Sequence, residues 1–375
     1  MKRFATKGLL FLLSIVLMLM PTLGYASAAP NHSAAGASVV EITTGRILYS
    51  KNGDAPMPMA STTKVMTALI AIESGRLDET VTIPKEAVGV EGSSLYLEEG
   101  EQFALKDLLY GLMMHSGNDS AEAIAIFISG SVEAFCIKMN ERAKELGAKS
   151  TNFVNPHGLP AKGHVTSAND LAIISAAAMG NDVFCEIVST KYHEMIPRGA
   201  GTKRTLKNKN KLLWNYESAT GVKTGYTKEA GKCLVASSAR DRLEVVTVVL
   251  NCPNMWDDTV RLLDFAHEQY WLCQIAIKDE VVTEAKVENG RAETVKVQIK
   301  ENLYYPLKVD GTEKPEVKID LPTNITAPIK AGQEMGTIRY YIGEELAGES
   351  KLVAAEDVEA LSFLDRLWRF LSSIF

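Results

Sequence analysis

Strand-like sequence at both ends of the stretch 37–251, with helix-like sequence between, restricts the fold more than any other feature of this chain. Alternation around Val39, Ile42 and Ile47-Leu-Tyr49 predicts a hairpin over 37–52 that turns at Thr44-Gly45. At the far end, 232–238 and 243–251 are strand-like runs separated by Arg240-Asp241-Arg242, a second hairpin. Helical segments run from Leu105 to about Ile187, and Val260, Leu263, Ala266 and Tyr270 mark a last helix over 257–271. Such an order predicts an α/β (α+β) fold: an antiparallel sheet flanked by helices, with an inserted helical lobe.

After Trp271 the composition changes. Short β-rich runs, among them Thr294–Ile299, Val317–Leu321 and Gly336–Ile342, are punctuated by Asn289-Gly290, Asp310-Gly311 and Pro322. They predict a separate all-β domain over 272–355. The tail, 356–375, places Leu361, Leu364, Leu367, Trp368, Leu371, Ile374 and Phe375 on one helical stripe, with Asp365, Arg366 and Arg369 off it. It is too short and too charged to span a bilayer comfortably, and suits an amphipathic helix lying in a membrane surface. At the other end, Lys2, Arg3 and Lys7 precede an uncharged run from Gly8 to Met20 and then Ala26-Ser27-Ala28. That order predicts a signal peptide over 1–28, which leaves 29–271 as the principal domain. Its removal takes away three positive charges and no negative ones, so the net charge goes from −6 to −9. An acidic chain without a basic stripe argues against nucleic acid as a partner. The five cysteines form no C-x-x-C pair, an odd number that leaves at least one unpaired within the chain, and no histidine spacing suggests a metal.

Three short elements carry chemistry. Ser61-Thr-Thr-Lys64 follows Pro56 and Pro58 and precedes the apolar Val65–Ile72, so it reads as the first turn of a buried helix. Positions i and i+3 share a helix face, which lets Lys64 reach the Ser61 hydroxyl. Free N–H groups at the positive end of the helix dipole suit an oxyanion. Chance alone supplies Ser-x-x-Lys about once in such a chain, so other residues decide. Lys223-Thr224-Gly225, beside the second hairpin, reads either as a surface turn or as an edge strand. On a strand, the lysine and hydroxyl grip a carboxylate and the glycine lets a ligand backbone approach. Ser116-Gly117-Asn118 interrupts two apolar helical stretches; it projects a hydroxyl and an amide into a cleft, or Asn118 caps the second helix.

These three elements in this order resemble the D-alanyl-D-alanine carboxypeptidases, the low-molecular-mass type-5 penicillin-binding proteins. Ala60–Thr67, His115-Ser-Gly-Asn-Asp119, Asn155-Pro-His-Gly-Leu159 and Gly221–Thr227 extend the likeness, which covers about residues 30–270. The resemblance implies a peptidase that removes the terminal D-alanine from peptidoglycan muropeptides ending in D-Ala-D-Ala, without a cofactor. It implies Ser61 as nucleophile and Lys64 as base. Ser116 would relay a proton, and Asn118 would hold Lys64 and the substrate amide. Lys223, Thr224 and Gly225 would bind the terminal carboxylate, and the N–H groups of Ser61 and Tyr226 would form the oxyanion hole. β-Lactam antibiotics would acylate Ser61. The place of action would be the outer face of the cytoplasmic membrane, in the cell envelope. Two other readings share the motifs, a serine β-lactamase and a non-catalytic penicillin-binding sensor or scaffold. Between Asn118 and Lys223 there is no Glu-x-x-Leu-Asn of the commonest β-lactamase class.

Overall fold

The computed structural model describes residues 29–322 and 324–372; the expected signal peptide lies outside them. In chain order, the first unit contains β1 (Gly36–Glu41), β2 (Ile47–Lys51), α1 (Lys64–Glu73), β3 (Thr80–Thr82), β4 (Gln102–Ala104) and α2 (Leu105–Tyr110). There follow α3 (Asn118–Ser129), α4 (Val132–Glu145), α5 (Ala168–Met179), α6 (Asp182–Ser189), β5 (Tyr192–Met195), β6 (Arg204–Lys207) and α7 (Leu212–Asn215). The unit closes with β7 (Ala219–Thr227), β8 (Gly231–Arg240), β9 (Leu243–Leu250) and α8 (Met255–Gln269).

The two predicted hairpins pair with each other. β1 lies antiparallel to β9, which gives one sheet in the order β2-β1-β9-β8-β7. Its period-two pattern feeds two cores. Val235, Val246 and Val248 face the helical lobe, whereas Leu234, Ala236, Val245 and Val249 face Leu262, Leu263 and Ala266 of α8. Each such buried valine or leucine contributes about 1.5–3 kcal/mol. The outcome that matters for chemistry is that β7 is an edge strand, next to the start of α1.

Helix α8 ends at Gln269, two residues earlier than its periodicity suggests, because Tyr270 and Trp271 open β10 (Tyr270–Ala276). The second unit is all-β: β11 (Val281–Glu288), β12 (Thr294–Ile299), β13 (Leu303–Lys308), β14 (Glu316–Asp320), β15 (Ile325–Thr326), β16 (Glu334–Ile342) and β17 (Glu345–Ala354). β10 pairs with β13, and the others form a sheet in the order β14-β16-β17-β12-β11-β15. Val358 is buried and bridges Ile329, and Ala360 bridges Gly290, so the chain leaves this unit only after residue 361. Helix α9 (Phe363–Ser372) follows.

A largely buried arginine of the first unit reaches into the second. Arg46, beyond the β1–β2 turn, donates both terminal nitrogens to Glu313, at 2.5 and 2.9 Å, and also reaches the Pro306 carbonyl. Its guanidinium lies 4.9 Å from the Tyr305 ring centre and 5.6 Å from that of Tyr270. Burial raises the Glu313 pKa, but the Arg46 hydrogen bonds and charge outweigh it and leave the carboxyl below its ordinary value. Arg46→Ala should destabilise the fold by about 1–3 kcal/mol, because Glu313 would stay largely buried with only the Lys308 N–H (3.0 Å) and the more distant Lys308 ammonium (4.0 Å) to replace the lost guanidinium. Thermal or urea unfolding of the variant checks this, and an unchanged midpoint would deny the pair any stabilising part.

Candidate active site

Residues Ala60–Thr63 form a single tight turn that leads into α1. Two hydroxyls fasten it: Thr62 Oγ1 donates to the Met59 carbonyl (2.6 Å) and Thr63 Oγ1 to that of Ala60 (2.9 Å). Ala60 takes φ +50°, a left-handed conformation that costs a non-glycine residue on the order of 1–3 kcal/mol and is typical of sites under functional constraint. The next N–H, that of Ser61, has no acceptor among the described residues.

Lys64 opens α1 and is fully buried. Its Nζ lies 3.1 Å from Ser61 Oγ, 2.7 Å from Asn118 Oδ1 and 2.6 Å from the His157 carbonyl oxygen. Those last two oxygens are pure acceptors. A neutral amine has two hydrogens and one lone pair. With both hydrogens given to Asn118 and His157, the lone pair is left for the Ser61 hydroxyl. Burial, and then the neighbouring charge of Lys223, hold the Lys64 pKa well below the ordinary lysine range.

Ser116 ends a wide helical turn, Gly111–His115, in a left-handed conformation (φ 68°). It is buried, and its hydroxyl has no partner among the described residues. Asn118 is the first residue of α3 but its side chain does not cap that helix. Both ends of the amide are turned across the cleft instead: Oδ1 accepts from Lys64 and Nδ2 donates to the Glu91 carbonyl (2.5 Å). Its neighbour Asp119 accepts from the backbone of Leu95 (2.8 Å) and Leu97 (3.2 Å), which pins that loop beside the site.

Lys223, Thr224 and Gly225 lie on β7, the edge strand. Lys223 is buried and donates to the Thr224 carbonyl (2.9 Å). Burial, reinforced by Lys209, pushes its pKa down to about 7. At Gly225, a Cβ would stand 3.1 Å from Ser61 N and 3.2 Å from the Met59 carbonyl. The close approach on that side is therefore made by the protein's own Ser61 turn. Together these elements line a cleft of about 310 Å³ with Ser61, Ser116, Thr224 and Tyr226 on its walls.

Ser93, Lys209, Met255 and Trp256 complete that lining, and none of them is among the residues expected from the sequence; Ser93, Met255 and Trp256 left no signal there. The His157 carbonyl left no trace there either, since a backbone oxygen has no residue signature. Lys209 did leave one: it is the centre of the alternation Lys207-Asn-Lys-Asn-Lys211. Asp170, near the start of α5, is structural. It accepts from Lys149 N, Ser150 N and Thr151 Oγ1. Among the described residues no group of three or more His, Cys, Asp or Glu side chains is placed to hold a metal ion.

A family model described as D-alanyl-D-alanine carboxypeptidase matches residues 24–254, and one described as penicillin-binding protein 5, C-terminal domain, matches residues 272–360. The chain is 35% identical over 347 residues to the D-alanyl-D-alanine carboxypeptidase DacF of Bacillus subtilis (strain 168), covering 90% of this chain and 89% of that protein. It is 30% identical over 366 residues to the D-alanyl-D-alanine carboxypeptidase DacC of Escherichia coli (strain K12), covering 91% and 88%. Among solved structures, penicillin binding protein 5 from Haemophilus influenzae is similar with a TM-score of 0.73 at 28% identity, covering 88% of this chain and 99% of that one.

Proposed function

Because the chain belongs to the D-alanyl-D-alanine carboxypeptidase family, we propose that its cleft performs that family's reaction with Ser61 as the nucleophile. The protein is a serine-type peptidase of cell-wall metabolism, acting on the D-Ala-D-Ala end of peptidoglycan stem peptides and binding β-lactams. Ser61 Oγ attacks the carbonyl of the penultimate D-alanine while its proton passes to neutral Lys64. The N–H groups of Ser61 and Tyr226 stabilise the oxyanion, each donor worth about 3–4 kcal/mol in known cases. Ser116 relays a proton to the departing D-alanine amine, giving up its own and regaining the one Lys64 took from Ser61, and Lys223 with Thr224 holds the carboxylate. Water then attacks the acyl carbonyl as Lys64 takes its proton, the bond to Ser61 Oγ breaks, and Lys64 returns the proton to Ser61. The observation that carries this reading is the buried Lys64 Nζ 3.1 Å from Ser61 Oγ and held by two pure acceptors, so that in the neutral amine the lone pair is what remains for Ser61. Mass spectrometry of a pentapeptide stem incubated with the protein tests it. A loss of one D-alanine, blocked by penicillin, is the expected result; an intact pentapeptide would refute the assignment.

Gly158 supports the nucleophile from outside. Its φ is +94°, and a Cβ there would stand 1.9 Å from the Ala60 carbonyl oxygen and 2.9 Å from Ser61 N. Gly158→Ala should therefore displace the Ser61 turn, and a misplacement of about 1 Å costs on the order of 10²-fold in rate. The rate of acylation by a fluorescent penicillin reads this out, and a wild-type rate would clear Gly158 of the role.

The tail suits anchoring to the outer face of the cytoplasmic membrane. Phe363, Leu364 and Trp368 of α9 are all at least 70% exposed, more apolar area than a helix docked on its own protein would leave in water. Among the described residues no single helix is long and apolar enough to cross a membrane. Truncation after Leu361 spares the buried Val358 and should move the protein from the membrane pellet to the soluble fraction. Persistence in the pellet would rule the anchor out.

A further inference from the structure

Beside the cleft lies a second, larger cavity of about 790 Å³, and Lys209 lines both. Its wall is built by an alternation over 205–211. Leu206, Asn208 and Asn210 are buried, whereas Thr205, Lys207, Lys209 and Lys211 are exposed. The buried asparagines hold the ribbon in that register. Asn208 Nδ2 donates to the carbonyls of Thr190 (3.0 Å) and Val188 (3.3 Å), its Oδ1 accepts from Asn210 N (3.0 Å), and Asn210 Oδ1 accepts from Leu212 N (3.1 Å). Three lysines thus project from one side of a rigid segment. Lys207 Nζ lies 5.5 Å from the Trp214 ring centre and 5.9 Å from that of Tyr192, two partly exposed rings that meet edge to face. Among the described residues no Asp or Glu lines the cavity, although the chain as a whole carries a net charge of −6.

We infer that this lysine–aromatic groove binds a carboxylate-bearing stem peptide of peptidoglycan that neighbours the stem being cut, and so holds the polymer at the cleft. The inference rests on the proposed carboxypeptidase reading. In that reading, the terminal carboxylate of the cleaved stem lies by Lys223, which shares this corner of the cleft with Lys209; burial first, and the Lys209 charge second, lower its pKa. The groove continues past Lys209, beyond the point where that stem ends, so a different segment must occupy it. A mesh polymer supplies such segments at high local concentration, and its peptide carboxylates complement the lysines. Two weak contacts on one polymer then multiply rather than add.

The test compares the mature protein with Lys207→Glu/Lys211→Glu, both exposed positions outside the reaction machinery. One substrate is a soluble pentapeptide; the other is insoluble peptidoglycan freed of phosphate-containing polymers. The charge-reversed protein should hydrolyse the insoluble material about tenfold more slowly at low salt, with the gap closing at high salt. Its kcat/KM on the soluble pentapeptide should match the wild type. In a Ser61→Ala background the same double change should reduce co-sedimentation with the insoluble material, and amidation of the peptide carboxylates should do so for the unreversed protein. Equal rates on the insoluble substrate, an equal loss on the soluble one, or binding that requires phosphate polymers would each overturn the inference. Wild-type inactivity on the soluble pentapeptide would instead count against the carboxypeptidase reading itself.

Discussion

A Ser61→Ala protein should take no covalent label from a fluorescent penicillin and release no D-alanine from a pentapeptide. The expected fall in kcat is on the order of 10⁶, the loss a serine hydrolase suffers when its nucleophile is removed. The effect should be this large because Ser61 is the only hydroxyl within reach of Lys64 Nζ among the described residues. The partners of Lys64 Nζ are Ser61, Asn118 and the His157 carbonyl, so Ser116 Oγ is not placed to substitute. The fold should survive, since Lys64 retains Asn118 and the His157 carbonyl, and the turn retains its two threonine ties. An unchanged melting temperature would confirm that activity, not structure, was lost. Adding a change at Lys64 to Ser61→Ala should lower the residual rate little further, because groups that act as a unit are not additive. Labelling that persisted in the single variant would move the nucleophile elsewhere.

How much of this was legible in the sequence depended on how local the signal was. Hairpin turns and helix periods are local, and the sheet, its helical flanks and the β unit followed the pattern. The Ser61–Lys64 approach is local too, a matter of helix spacing. Asn118 was harder to read. Its sequence neighbours allow a cap, but the buried amine of Lys64, 54 residues away in the chain, competes for its oxygen and takes it. Gly225 differs in the same way, because the element that presses against it is the distant Ser61 turn. Tyr270 fits both a helix stripe and a strand; the hydrogen bond from its hydroxyl to the Leu48 carbonyl belongs to the strand arrangement. Lys209 and Trp256 come from separate elements that only tertiary packing brings to one cleft.

The second large effect concerns the charge states of two lysines with opposite tasks. Lys64 must be neutral to accept the Ser61 proton, whereas Lys223 must be cationic to hold a carboxylate. Burial depresses both pKa values, and Lys64 is pushed down further by the Lys223 charge. With rising pH, kcat/KM should first climb as Lys64 loses its proton. It should then fall, up to tenfold per pH unit, as the Lys223 charge is lost above about 7. A bound carboxylate stabilises the Lys223 cation, so the falling limb should stand at higher pH in kcat than in kcat/KM. A substrate whose terminal carboxylate is amidated should show the rising limb and lack the falling one. Lys64→Arg separates the base from a mere cation, because a guanidinium keeps the charge and the donors but does not deprotonate. If Lys64 is the base, this change should cost about 10²–10⁴-fold in acylation, and Lys64→Met should cost as much. If Lys64 acted only through positive charge, Lys64→Arg would retain most of the rate and the rising limb would be absent from the wild-type profile.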